Sequence, residues 1–65
     1  MIFVNKTFQK YSNAKAYYEK WVNHDCEIEI LLIRDNENHE YKVIDRKMFN
    51  HLVYEYDLDC EVLYN

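Results

Sequence analysis

The sequence predicts a small α+β fold, in which two helices pack on one antiparallel β-sheet. Six segments alternate between strand and helix patterns in the order β-α-β-β-α-β. The chain has 65 residues, a length that supports one small core. It contains neither glycine nor proline, so asparagine and aspartate must supply any left-handed turn residue.

The first part of the chain predicts a strand followed by a helix. Residues 2–8 mix β-branched and aromatic side chains, as strands do. Ser12 is a candidate N-cap for the helix, and Asn23 or His24 is expected to end it. One helix face carries four residues at i, i+3, i+4 and i+7: Ala14, Tyr17, Tyr18 and Trp21.

Residues 27–34 form the clearest strand pattern, in which successive residues face opposite sides of the sheet. One face carries Ile28, Ile30 and Leu32, and the other carries Glu29, Leu31 and Ile33. Residues 35–38 predict a turn, in which asparagine tolerates the left-handed conformation. Residues 40–44 then return as the partner strand, which completes a β-hairpin.

The last part predicts a second helix and a short closing strand. Asp45 is a candidate N-cap. The helix face expected to pack on the sheet is Phe49, Leu52, Val53 and Tyr56, with Met48 beside it. Residues 60–64 form the strand, with Cys60, Val62 and Tyr64 facing inward.

This element order resembles the ferredoxin-like superfold. The expected architecture therefore has two layers, with both helices on one face of the sheet. Right-handed crossovers would place the first and third strands in the centre and the other two at the edges. Residues 1–65 are expected to form one domain. An alternative leaves the last strand unpaired, or pairs it with another chain.

The missing glycine excludes several chemistries. Phosphate-binding loops of the Walker and dinucleotide types need glycine for close backbone approach, so no nucleotide cofactor is expected. The spacing of His24, Cys26, His51 and Cys60 matches no compact zinc site. No nucleophile, base and oxyanion hole can be recognised together. We therefore expect a protein without catalytic activity, cofactor or metal.

The N-terminal residues and the cysteines bear on location. No apolar run approaches the ~20 residues of a membrane span. The segment 1–8 lacks the basic start and small-residue cleavage site of a signal peptide. Two cysteines in such a chain are expected to stay reduced, which favours the cytoplasm.

Acidic residues concentrate after residue 24, and the formal net charge is −4. One interpretation is that they solvate the surface and keep edge strands from pairing with other chains. The other is that they meet a basic groove of a partner and displace or mimic nucleic acid. The acidic candidates for partner binding are Glu27, Glu29, Asp35, Glu37, Glu40, Glu55, Asp57, Asp59 and Glu61.

A second candidate surface follows from the expected architecture. If both helices cover one sheet face, the other face stays open and exposes large apolar residues, which usually mark an interface. The exposed apolar set on that face would be Phe3, Leu31, Ile33, Ile44 and Leu63. Tyr54, on the outer face of the second helix, is a further candidate, because tyrosine is enriched at binding hot spots.

The sequence thus favours a non-enzymatic, acidic binding module that occupies a basic surface of a larger protein. A phage or mobile-element inhibitor of the anti-CRISPR or DNA-mimic type suits the size and charge. One alternative is a homo-oligomeric structural or regulatory domain that uses the open sheet face. Another is a nucleic-acid-binding domain that uses the lysines of residues 1–24, although the net negative charge opposes phosphate binding.

Overall fold

Four antiparallel strands and two helices follow one another in the order β-α-β-β-α-β, which confirms the predicted class and element order. The structure is a computed structural model that describes residues 4–23 and 28–64. The elements are β1 (Asn5–Phe8), α1 (Tyr11–Asn23), β2 (Ile30–Asp35), β3 (Glu40–Asp45), α2 (Arg46–Tyr56) and β4 (Cys60–Tyr64). The hairpin and the last strand therefore lie where the sequence predicts them.

The strand order across the sheet is β1-β3-β2-β4. The prediction that the first and third strands are central is wrong, because β2 and β3 are central and β1 lies at an edge. β2 has apolar residues on both faces, so a central position buries both of them. The sequence of β1, NKTF, has three polar residues in four and tolerates an edge. β4 pairs with β2 within the chain, which excludes an unpaired last strand.

The two helices lie on opposite faces of the sheet, so the predicted two-layer packing with both helices on one face is wrong. Ile30, Leu32 and Val43 pack with the apolar side chains of α1. Leu31, Ile33 and Ile44, on the other face, pack with those of α2. The sheet is therefore the middle of three layers.

The strand order explains why the helices separate. The connection from β1 to β2 passes β3, and the connection from β3 to β4 passes β2. Both connections move in the same direction across the sheet, but β1 and β3 run in opposite directions. Right-handed crossovers therefore place α1 on one face and α2 on the other.

Helix α1 packs on the sheet mainly through aromatic rings, since Ala14 is its one fully buried residue. The ring of Tyr17 lies 5.4 Å from that of Phe8 and 6.2 Å from that of Trp21. The helix begins at Tyr11, and the N–H of Ala14 donates to the carbonyl oxygen of Lys10 at 3.2 Å. Ser12 thus lies inside the helix, and its predicted role as the N-cap is wrong.

Strand β4 is held to α1 through its last tyrosine. The ring of Tyr64 stacks on Tyr18 at 5.6 Å, and its hydroxyl lies 2.9 Å from that of Tyr11. This hydrogen bond, with a smaller effect of burial, raises the pKa of Tyr11. A register shift between Leu32 and Ile33 leaves Leu63 unopposed, and Leu63 packs on the α1 side. Its predicted place on an open face is therefore wrong.

In the part of the chain that the structure describes, two residues adopt the left-handed conformation, and neither is glycine. Asp57 does so at the end of α2, where its N–H and that of Leu58 both donate to the carbonyl oxygen of Leu52. This use of aspartate confirms the expectation for a chain without glycine. In the hairpin, however, the left-handed residue is His39, not the predicted asparagine.

Asp45 confirms its predicted role as the N-cap of α2 and has a second role. Its Oδ1 accepts a hydrogen bond from the Met48 N–H at 2.7 Å. Its Oδ2 accepts another from the N–H of Val4 at 3.1 Å. The residue is buried. One carboxylate thus joins the start of α2 to the chain just before β1.

Candidate partner-binding surface

The hairpin turn and the segment before β4 meet at one end of the sheet. The N–H of Asn36 donates to the carbonyl oxygen of Asp59 at 2.9 Å. Asp35 pairs with Cys60 in the register of β2 and β4. Because α2 ends at Tyr56, just before this segment, its last turn reaches the same end. Acidic residues that are distant in sequence therefore come together here.

Four exposed carboxylates define this acidic end: Glu37, Glu55, Asp57 and Asp59. Within residues 4–23 and 28–64, none of the four has a lysine or arginine within ion-pair distance. Their charge therefore faces solvent without a neutralising partner among these residues. This arrangement can attract a positively charged surface.

Two of the remaining acidic candidates form ion pairs within the fold. Glu29 pairs with Arg46, and Glu40 lies 3.6 Å from the amine of Lys42. Glu61 lies opposite Arg34 in the register of β4 and β2. Glu27 lies outside the described residues. Edge protection remains a sufficient role for Glu61, because β4 is an edge strand.

Asp35 is completely buried, so its predicted role as a partner-binding residue is wrong. Its Oδ1 accepts hydrogen bonds from the N–H groups of Glu37 and Asn38, and its Oδ2 accepts one from the Asn38 side chain at 2.9 Å. Burial acts to raise the pKa of Asp35, but these hydrogen bonds outweigh it, and the pKa lies below its usual value. Asp35 orders the turn that presents Glu37.

Two members of the acidic end occupy positions that disfavour negative charge. Glu55 lies in the last turn of α2 and Asp57 caps it, and that turn contains no basic residue. The carboxyl end of a helix carries partial negative charge, so carboxylates there reduce stability. Stability therefore does not explain their placement. Local choices that oppose stability are often found at functional sites.

Replacing Asp57 by asparagine is expected to raise the free energy of unfolding by about 0.3–1 kcal/mol. Asparagine has the same shape and tolerates the left-handed conformation, so only the unfavourable charge is removed. Urea denaturation measures the change. Glu37→Gln serves as the control, since Glu37 lies in the hairpin turn and is not part of α2 or its cap, and it should change stability by less than about 0.5 kcal/mol. A destabilised Asp57→Asn variant would contradict this account.

The predicted open apolar face is not present among the described residues. Leu31 and Ile33 are completely buried beneath α2, and Ile44 is buried with them. Phe3 lies outside the described residues. The expected apolar patch therefore cannot serve as an accessible surface for self-association.

Tyr54 is 81% exposed, which confirms its predicted place on the outer face of α2. Tyr56 is 68% exposed, so its predicted place on the packed face is wrong. It ends the helix and contacts the ring of His51 at 5.1 Å. The helical spacing of Tyr56 does not indicate this exposure. The exposure depends on where the helix ends, and α2 ends at Tyr56.

The candidate metal ligands are only partly described. His24 and Cys26 lie outside the described residues. Burial, with the nearby carboxylates of Asp35 and Asp59, raises the pKa of the Cys60 thiol. In residues 4–23 and 28–64, no group of three or more histidine, cysteine or acidic side chains is placed to hold a metal ion.

Comparisons with known proteins indicate neither a family nor a function for this chain. No protein-family model matches the chain. Searches of curated proteins and of solved structures gave no significant match. Among the described residues, neither helix has the length and apolar character needed to cross a membrane.

Proposed function

We propose that this protein is a non-enzymatic binding module that attaches through its acidic end to a positively charged surface of a larger protein. The observation that carries this proposal is the convergence of Glu37, Glu55, Asp57 and Asp59 at one end of the sheet, without an ion-pair partner among the described residues. Complementary charge accelerates encounter and selects partners.

The form of this function that we favour is inhibition in the cytoplasm. A small acidic domain that covers a basic groove would keep nucleic acid out of it, as a phage or mobile-element inhibitor of the anti-CRISPR or DNA-mimic type does. Carboxylates gathered at one end suit this role better than carboxylates spread evenly around the sheet. A rigid support also suits it, and the hydrogen bonds of Asp35 hold the hairpin turn in place.

Two variants with the same net charge test the proposal. Glu37→Gln with Asp59→Asn removes two unpaired charges from the acidic end. Glu19→Gln with Glu29→Gln removes two charges that already pair with Lys15 and Arg46. Each variant is used to capture partners from the native cell, and affinity for the captured partner is then measured.

We expect one dominant basic partner, bound equally by the parent protein and the Glu19/Glu29 variant. The Glu37/Asp59 variant should bind it roughly five- to thirtyfold more weakly, from about 0.5–1 kcal/mol for each exposed charge interaction. Equal losses in both variants would show that net charge alone matters. No loss in the Glu37/Asp59 variant would exclude the acidic end as the binding surface.

A further inference from the structure

The carboxyl-terminal half of α2 presents exposed rings and carboxylates. His51, Tyr54 and Glu55 follow the i, i+3, i+4 spacing of neighbours on a helix surface. The ring of Tyr56 contacts His51 edge-on at 5.1 Å. Asp57 then follows at the helix end. All five side chains are exposed, and we call them the aromatic patch.

The packed side of α2 is fully used by the sheet, so this patch has no role in the core. Met48, Phe49 and Leu52 are the helix residues that pack on Leu31, Ile33 and Ile44. Tyr54 is 81% exposed and Tyr56 is 68% exposed, although both are large enough to bury considerable apolar area. Exposed rings beside unpaired carboxylates suit a ligand that has both a flat apolar surface and positive charge.

We propose that the aromatic patch recognises arginine side chains of the partner protein, an inference that rests on the function proposed above. The guanidinium group is planar, stacks on aromatic rings and forms two parallel hydrogen bonds to a carboxylate. Tyr54 and Tyr56 supply exposed rings, and Glu55, which adjoins both of them in the sequence, supplies a carboxylate. Lysine carries the same charge but is a compact, strongly hydrated ammonium that matches this combination less well. The patch therefore adds selectivity for arginine to the general attraction of the acidic end.

Two synthetic peptides of equal charge, octa-arginine and octa-lysine, are suitable probes. Their dissociation constants are measured by fluorescence anisotropy at about 100 mM salt, where the Debye length of about 10 Å still exceeds the distance between paired charges. We expect the parent protein to bind octa-arginine at least two- to fivefold more tightly than octa-lysine, the range for one exposed cation–π contact. Tyr54→Leu should remove most of this preference and leave the octa-lysine affinity unchanged. Tyr54→Phe retains the ring and should retain the preference.

The controls separate this inference from the proposed function. Equal affinity for the two peptides would overturn arginine recognition, and so would a preference that survives both Tyr54→Leu and Tyr56→Leu. If Glu37→Gln with Asp59→Asn still weakens both peptides in that case, the acidic end stands as a binding surface without the aromatic patch. If neither peptide binds, arginine recognition and the proposed function both fail. Circular dichroism of each variant checks that the fold is retained.

Discussion

Replacing Leu31 by alanine is expected to lower the free energy of unfolding by about 2–5 kcal/mol. Leu31 is completely buried, and it lies in the cluster that α2 forms with the sheet. The substitution removes apolar contacts and leaves a cavity that neighbouring side chains fill only in part. Urea denaturation followed by circular dichroism gives the change.

A matched substitution on the other face makes this a test of the three-layer packing. Leu32→Ala lies one residue away, is equally buried and faces α1. If α1 and α2 cover opposite faces, both variants lose several kcal/mol. If both helices covered one face, Leu32→Ala would be costly and Leu31→Ala nearly neutral.

A milder variant is needed in case Leu31→Ala does not fold, since a small domain has low stability. Ile33→Val shortens a second buried side chain beneath α2 and should cost about 0.5–1.5 kcal/mol. A measurable loss in the free energy of unfolding supports the packing of α2 on this face, even if Leu31→Ala fails to fold. An unchanged free energy of unfolding for Ile33→Val would contradict it.

Replacing Asp45 by alanine is expected to lower the free energy of unfolding by about 1.5–5 kcal/mol. The N-cap hydrogen bond to the Met48 N–H accounts for about 0.5–2 kcal/mol of this. The buried N–H of Val4 loses its acceptor as well, and an unsatisfied buried donor costs about 1–3 kcal/mol. Urea denaturation measures the total.

Asp45→Ser separates these two contributions. Serine is a good N-cap, so the hydrogen bond to Met48 is retained, but its shorter side chain does not also reach Val4. The expected loss is therefore intermediate, about 1–3 kcal/mol. If Asp45→Ser were as unstable as Asp45→Ala, the cap would be unimportant. If it were as stable as the parent protein, the hydrogen bond to Val4 would contribute nothing.

Much of the local structure could be predicted from the sequence, because it depends on neighbouring residues. The continuous apolar run in β2 and the helical spacing of Phe49 and Leu52 are local signals of this kind. Asp45 could be identified because a capping side chain acts within three residues of itself. The candidate site was only partly predictable. Glu55, Asp57 and Asp59 stand close together in sequence, but the approach of Glu37 depends on the hydrogen bond between Asn36 and Asp59.

The order of strands and helices, the hairpin and the absence of glycine-dependent phosphate loops follow from the amino-acid pattern alone. The order of strands within the sheet, the placement of the helices on opposite faces and the gathering of carboxylates at one end follow from long-range packing. Periodicity shows which residues share a face, but it does not show which element covers that face. Covering both apolar faces of β2 required a helix on each side, and this buried Leu31 and Ile33 in the core.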